Sequence, residues 1–244
     1  MSVINIKSII NRISSLYARR NSESWFNYLR SNGMRIGEGT TIHCQPYFVQ
    51  LDITRPWLIE IGKNVQITNG VKILTHGFDW AVLKGVYGDI CGSSGKVTIG
   101  DNCFIGTNAV ILKGTTLGDN VIVGAGSVVT GGTFPSNCVI AGNPAKVICT
   151  LDEYHQKRIK AQKNEAKELV LNYYEVYKKL PPKDTLSEFF WLFEKREKLT
   201  TPSFIFQMNN VRNFDYSMQQ FLISEPEFTS YEAFLDYCMN SDED

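Results

Sequence analysis

The chain has 244 residues, long enough for one sizeable core with an appendage or for two small domains. Lys and Arg together number 25, as do Asp and Glu, so there is none of the basic excess that marks a nucleic-acid binder. Hydrophobic residues make up 43%, an ordinary share for a folded globular chain.

In chain order, residues 3–19 carry Ile6, Ile9, Ile10, Ile13, Leu16 and Tyr17 at helical spacing. Charged and polar residues interleave, so the segment reads as an amphipathic helix, not as a signal peptide or a membrane span. Binding of this helix to a membrane surface is disfavoured because its cations do not share one face. Residues 23–31 (ESWFNYLRS) read as a second helix, stopped by Gly33. Residues 1–33 are therefore expected to form a helical cap. The six cysteines, at 44, 91, 103, 138, 149 and 238, form no CxxC pair. They are expected to be reduced thiols in a cytoplasmic protein.

From Ile99 the chain reads IGDNCF, IGTNAV, ILKGTT, LGDNVI, VGAGSV, VTGGTF, with an aliphatic residue every six positions. IGKNVQ, ITNGVK and ILTHGF keep the same frame from Ile61, and IGEGTT at Ile36 resembles a first copy. A helix repeats its apolar face every three or four residues and a plain strand every two, so a strict six suits a short strand followed by a corner. The fifth place of the hexads (Cys103, Ala109, Thr115, Val121, Ser127, Thr133) is expected to point inward. The fourth holds Gly or Asn almost throughout, residues that tolerate positive φ and suit a corner. His76 is the exception, an imidazole where the frame expects a corner. Directly after it, residues 79–96 (DWAVLKGVYGDICGSSGK) leave the repeat in a long loop.

THGFD with its following loop, the run IGDNCFIGTNAVILKGTTLGDNVIVGAGSVVT and the closing AGNPAKVI resemble the hexapeptide-repeat acyltransferases. The likeness is greatest to their galactoside/maltose and xenobiotic acetyltransferase branch and covers about residues 34–148. It implies a mainly β chain, a left-handed parallel β-helix of hexapeptide repeats. It further implies a homotrimer with active sites between adjacent subunits, acetyl-CoA as co-substrate, no metal, and a sugar or glycan-precursor acceptor. By the same resemblance His76 aligns with the catalytic histidine, while Phe104, Thr107, Ala125, Thr130 and Lys146 fall where relatives hold coenzyme A. Two departures stand out: Phe104 replaces a common tryptophan, and Gly131 replaces a common cation. Asp79, Trp80 and Asp52 are expected on the acceptor side, with Asp79 also a candidate to orient His76. Cys103, at an inward place, is expected to be inert.

After Ile148 the composition changes, and residues 149–244 read as a mostly helical extension. Residues 151–180 form a charge-rich helix ended by Pro181-Pro182, and residues 186–199 a second helix bearing Phe189, Phe190, Trp191 and Phe193. That aromatic cluster is read as core in preference to a glycan platform. The function expected is O-acetylation of a sugar hydroxyl in capsule, O-antigen or exopolysaccharide synthesis. The alternatives are N-acetylation of an amino sugar or drug on the same fold, and a non-catalytic trimeric prism. A γ-type carbonic anhydrase would need three clustered histidines, and only His43, His76 and His155 exist.

Overall fold

A computed structural model describes residues 14–240. The expected helix at 3–19 lies mostly outside them; residues 14–18 are helical. The chain divides into two compact units, residues 1–154 and 155–244.

The first unit is a left-handed parallel β-helix with three faces. Face A stacks β1 (Arg35–Ile36), β4 (Ile59–Ile61), β7 (Val97–Ile99), β10 (Thr115–Leu117) and β13 (Gly132–Phe134). Face B stacks β2 (Thr41–Ile42), β5 (Gln66–Ile67), β8 (Phe104–Ile105), β11 (Val121–Val123), β14 (Cys138–Gly142) and β15 (Ala145–Thr150). Face C holds β3 (Gln50–Leu51), β6 (Lys72–Ile73), β9 (Val110–Ile111) and β12 (Val128–Val129). Among the described residues every pairing between these strands is parallel except β14 with β15, an antiparallel return that closes the last coil.

The hexad frame explains this geometry. Its leading aliphatics stack down the interior, with Ile61, Ile67, Ile73, Ile99, Ile105, Ile111, Leu117, Val123 and Val129 all at most 2% exposed. Burying an Ile, Leu or Val side chain contributes roughly 1.5–3 kcal/mol, so this ladder dominates the unit's stability. At the corners Asn64, Asn102, Asn108 and Asn120 have φ of 54°, 53°, 60° and 57°. Side-chain amides link Asn102, Asn120 and Asn137 into a ladder, each bond 2.8 Å.

The structure corrects the frame in two places. His76 is absent from the positive-φ residues and instead pairs with Ser94 in an antiparallel bridge, so it is not a left-handed corner. Thr133 is exposed, not inward, because the last coil is one residue short. Ile99 lies beside Leu117, eighteen residues on, but Leu117 lies beside Phe134, only seventeen on.

Ahead of the prism, α1 (Ser22–Ser31) starts from Asn21, whose side chain accepts from the Ser24 N–H. It buries Trp25, Phe26 and Leu29 in the same core as Ile36 and Ile42, which covers the open end of the first coil. The loop after His76 carries α2 (Trp80–Tyr87), none of whose residues is buried.

The 27-residue α3 (Leu151–Tyr177) leads into the second unit, whose further helices are α4 (Pro202–Met208), α5 (Phe214–Ile223) and α6 (Tyr231–Asn240). The helix expected at 186–199 does not form; short 3-10 turns occupy Lys183–Leu186 and Phe190–Leu192. Phe190, Leu192 and Phe193 are all buried, a spacing that no single α-helical face supplies. They pack with Phe204, Phe221 and Phe234, so the aromatic cluster is core. Among the described residues no helix is long and apolar enough to cross a membrane.

Candidate active site

The arrangement with most chemical content begins with Asp52. The pairing of β3 with β6 sets Leu51 beside Ile73, and the Asp52 N–H donates to the Ile73 carbonyl at 3.0 Å. The chain then turns, and Asp52 Oδ1 accepts from the Thr54 N–H at 3.0 Å and the Thr54 hydroxyl at 2.6 Å, a local Asx turn. Its other oxygen accepts from the Thr75 hydroxyl at 2.5 Å and from the Thr75 N–H at 3.3 Å. His76 Nδ1 completes the set, 2.7 Å from Oδ2.

Asp52 is only 6% exposed and Thr75 not at all. Burial alone pushes a carboxyl pKa up, but here the donors on Thr54, Thr75 and His76 outweigh it. They hold the Asp52 carboxyl well below the usual carboxylate range. A carboxylate facing Nδ1 keeps the proton on that nitrogen and leaves Nε2 with the free lone pair. The imidazole is about a third exposed, so the free nitrogen is reachable.

The other sequence-predicted residues sort by corner. His76 follows β6 and Thr130 follows β12, so both stand where face C turns into face A. Thr107 follows β8 and Ala125 follows β11, where face B turns into face C. Both residues are exposed, and the Gly126 N–H donates to the Thr107 carbonyl at 2.7 Å, stacking one turn on the other. Phe104 is on face B between Gln66 and Ile122 and is 40% exposed. Lys146 is exposed on β15, opposite Ala141. Within one chain, then, the two groups occupy opposite edges of face C and do not meet.

Asp79 and Trp80 open the loop helix: Asp79 is exposed and Trp80 half-buried. Asp79 does not touch the imidazole; the residue on Nδ1 is Asp52, which the sequence reading set on the acceptor side. Every oxygen of Asp52 is already engaged within the chain. The reading missed Thr54 and Thr75. The usable signal was the D-x-T spacing directly after the inward Leu51, which marks an Asx turn.

Burial pushes the Cys103 thiol up to about 11, a poor nucleophile. His43 Nε2 lies 2.7 Å from Gln66 Oε1 on face B, and His155 is exposed on α3. Among the described residues no three His, Cys, Asp or Glu side chains gather as a metal site would require. A groove lined by Arg30, Arg35, Glu60 and Asp101 runs along the third corner, between faces A and B, and includes none of these site residues.

Residues 96–131 match the family described as the hexapeptide repeat of succinyl-transferase. Protein CapG of Staphylococcus aureus is 45% identical over 104 residues, 43% of this chain and 59% of CapG, so the chain spans less than two thirds of that relative. Among solved structures, a maltose O-acetyltransferase from Clostridium difficile is 30% identical over 59% of this chain and 83% of that one, with a TM-score of 0.43. A hexapeptide-repeat-containing acetyltransferase of Vibrio cholerae, complexed with acetyl coenzyme A, is 20% identical over 62% of this chain and 91% of that one, again with a TM-score of 0.43. The in-frame hexads, the three-faced prism they build and the matched segment together make this chain a hexapeptide-repeat protein of the left-handed β-helix fold.

Proposed function

We propose that the chain is an acetyl-CoA-dependent O-acetyltransferase acting on a sugar hydroxyl, in capsule, O-antigen or exopolysaccharide synthesis. The observation that carries this reading is the buried Asp52 carboxylate 2.7 Å from His76 Nδ1. A sugar hydroxyl is a weak nucleophile at neutral pH, and a fixed base is worth about 10²–10⁴-fold. Nε2 of His76 takes the hydroxyl proton as the oxygen attacks the thioester carbonyl. As the carbon–sulfur bond breaks, the imidazolium returns that proton to the departing thiolate. Asp52 stabilises the imidazolium between these steps without itself taking a proton. The high pKa of Cys103 argues for direct transfer over an acyl-enzyme.

The face B to C corner suits the coenzyme: Thr107 and Ala125 are small and exposed, Phe104 offers an apolar surface, and Lys146 an exposed cation. Since that corner stands across face C from His76, a site using both draws them from two copies of the chain. A homotrimer with three such junctions meets that need. The exposed α2 fits the same reading, because an eight-residue helix with no buried residue lacks the packing that holds short helices together.

Acetyl-CoA binding, followed by calorimetry or thermal shift, tests the reading before the acceptor is known. Ligand at about 100 times its dissociation constant adds about 2.7 kcal/mol of stability. Binding followed by CoA release with glycosides supports the proposal. No binding at millimolar acetyl-CoA leaves a structural prism or a different donor.

A further inference from the structure

Around Gly77, directly after His76, three features converge that the mechanism does not use. Asp79 stands at the N-cap of α2, where an aspartate normally accepts from the first helical N–H groups, yet it makes no capping bond. Its carboxylate folds back instead: a Cβ at position 77 would collide with Asp79 Oδ1, so glycine leaves the space that the carboxylate enters. Ser93 Oγ would lie 3.4 Å from that Cβ, and the hydroxyl is buried with no hydrogen-bond partner among the described residues. Ser93 is held there by backbone, with Ser94 bridging to His76 and the Gly95 N–H donating to the Thr75 carbonyl at 2.9 Å. The third feature is apolar. Phe78 is 71% exposed, and its ring meets that of Trp80 at 4.7 Å between centroids and 58° between planes, an open aromatic corner.

A buried hydroxyl without a partner costs stability unless a ligand satisfies it. An exposed aromatic corner costs less when an apolar face covers it. A pyranose ring answers both, with C–H groups on its faces and hydroxyls on its rim. We propose that Phe78 and Trp80 stack against the face of the acceptor sugar, while Ser93 Oγ and the Asp79 carboxylate bind the hydroxyl next to the one that reacts. The inference rests on the sugar-acetyltransferase reading above and narrows it to a pyranose acceptor with adjacent free hydroxyls. Phe78 and Ser93 thereby become specificity residues.

The test uses the full chain with acetyl-CoA and methyl pyranosides of glucose, galactose, mannose and N-acetylglucosamine, following CoA release. With the glycoside that reacts best, Phe78→Ala and Ser93→Ala should each raise the acceptor KM by about tenfold while kcat changes little. Phe78→Tyr should restore the KM, and the acetyl-CoA dissociation constant should stay at the wild-type value in all three. A deoxy analogue of that best glycoside, lacking the adjacent hydroxyl, should show the higher KM on the wild type and no further rise on Ser93→Ala. An acceptor KM within twofold of wild type in both alanine variants overturns the subsite but leaves the acetyltransferase reading intact. Wild-type protein that binds acetyl-CoA yet acetylates none of the glycosides overturns the sugar reading and the subsite with it.

Discussion

Asp52 and His76 lie 24 positions apart in sequence, yet one coil of the prism sets the carboxylate Oδ2 2.7 Å from the imidazole Nδ1. Four further hydrogen bonds, from Thr54 and Thr75, fix the carboxylate, so the ring's direction is set by a buried anion with no freedom to turn. Asp52→Asn keeps the size of the side chain but no longer fixes the proton on Nδ1. Turnover should fall by about 10²–10⁴-fold with acetyl-CoA affinity unchanged, as steady-state kinetics and calorimetry on the variant would show. A loss below threefold would mean that Asp52 is a structural anion only.

Removing the proposed base gives a companion expectation. His76→Ala should lower turnover by about 10²–10⁴-fold while acetyl-CoA still binds, because the proposed coenzyme residues Thr107 and Ala125 lie across face C and only Thr130 shares the His76 corner. A variant that keeps more than half of the wild-type activity removes His76 from the mechanism.

The same pair makes stability depend on acid. The folded pKa of Asp52 is depressed, so at low pH the unfolded chain binds a proton more readily than the folded one. Its contribution is fully present above the unfolded carboxyl value of about 3.9 and is lost as pH falls towards the folded one. Urea midpoints of wild type and Asp52→Asn should therefore differ most at pH 6 and converge as pH drops below about 4. A difference that stays constant from pH 6 to pH 3 would show that the hydrogen bonds to Asp52 do not depress its pKa.

What was legible in the sequence followed from how the prism repeats. A strand of two or three residues and one corner cannot change length without shifting every later side chain, so the hexads of Ile61–Val129 show their period openly. The one-residue slip before Phe134 was hidden because VTGGTF still begins with an aliphatic. Asp52 was harder to place: its coil advances 22 residues from Leu51 to Ile73, not eighteen, so the hexad frame gives no register there. In the second unit, the aromatics of residues 186–193 suggested a helix because they are close together. The need to bury Phe190, Leu192 and Phe193 at once overrode helical periodicity.

The corner ladder makes a separate claim about stability. Asn120 has φ 57° and bonds both Asn102 and Asn137. Asn120→Ala loses both bonds and leaves in the left-handed region a residue without the short polar side chain by which Asn tolerates it, for a cost of about 1–2 kcal/mol. Asn120→Gly loses the bonds but relieves the backbone, so its urea midpoint should fall between those of wild type and the alanine variant. Equal losses in the two variants would assign the whole effect to the amide ladder.

The division of the site between two corners is testable without any structure of the assembly. His76→Ala disables the face C to A corner of a chain; Ala125→Trp should block the coenzyme corner between faces B and C. Each variant alone is expected to be nearly inactive. In the proposed homotrimer, unfolding and refolding the two together gives mixed assemblies, and a junction is intact only where an unaltered His76 corner meets an unaltered Ala125 corner. Random assembly makes that about a quarter of all junctions, so activity should return to roughly a quarter of wild type. If every site were contained within one chain, no junction in the mixture would be whole and activity would stay at the level of the single variants. Recovery therefore separates a shared site from a self-contained one, and the fraction recovered reports how many chains each site draws on.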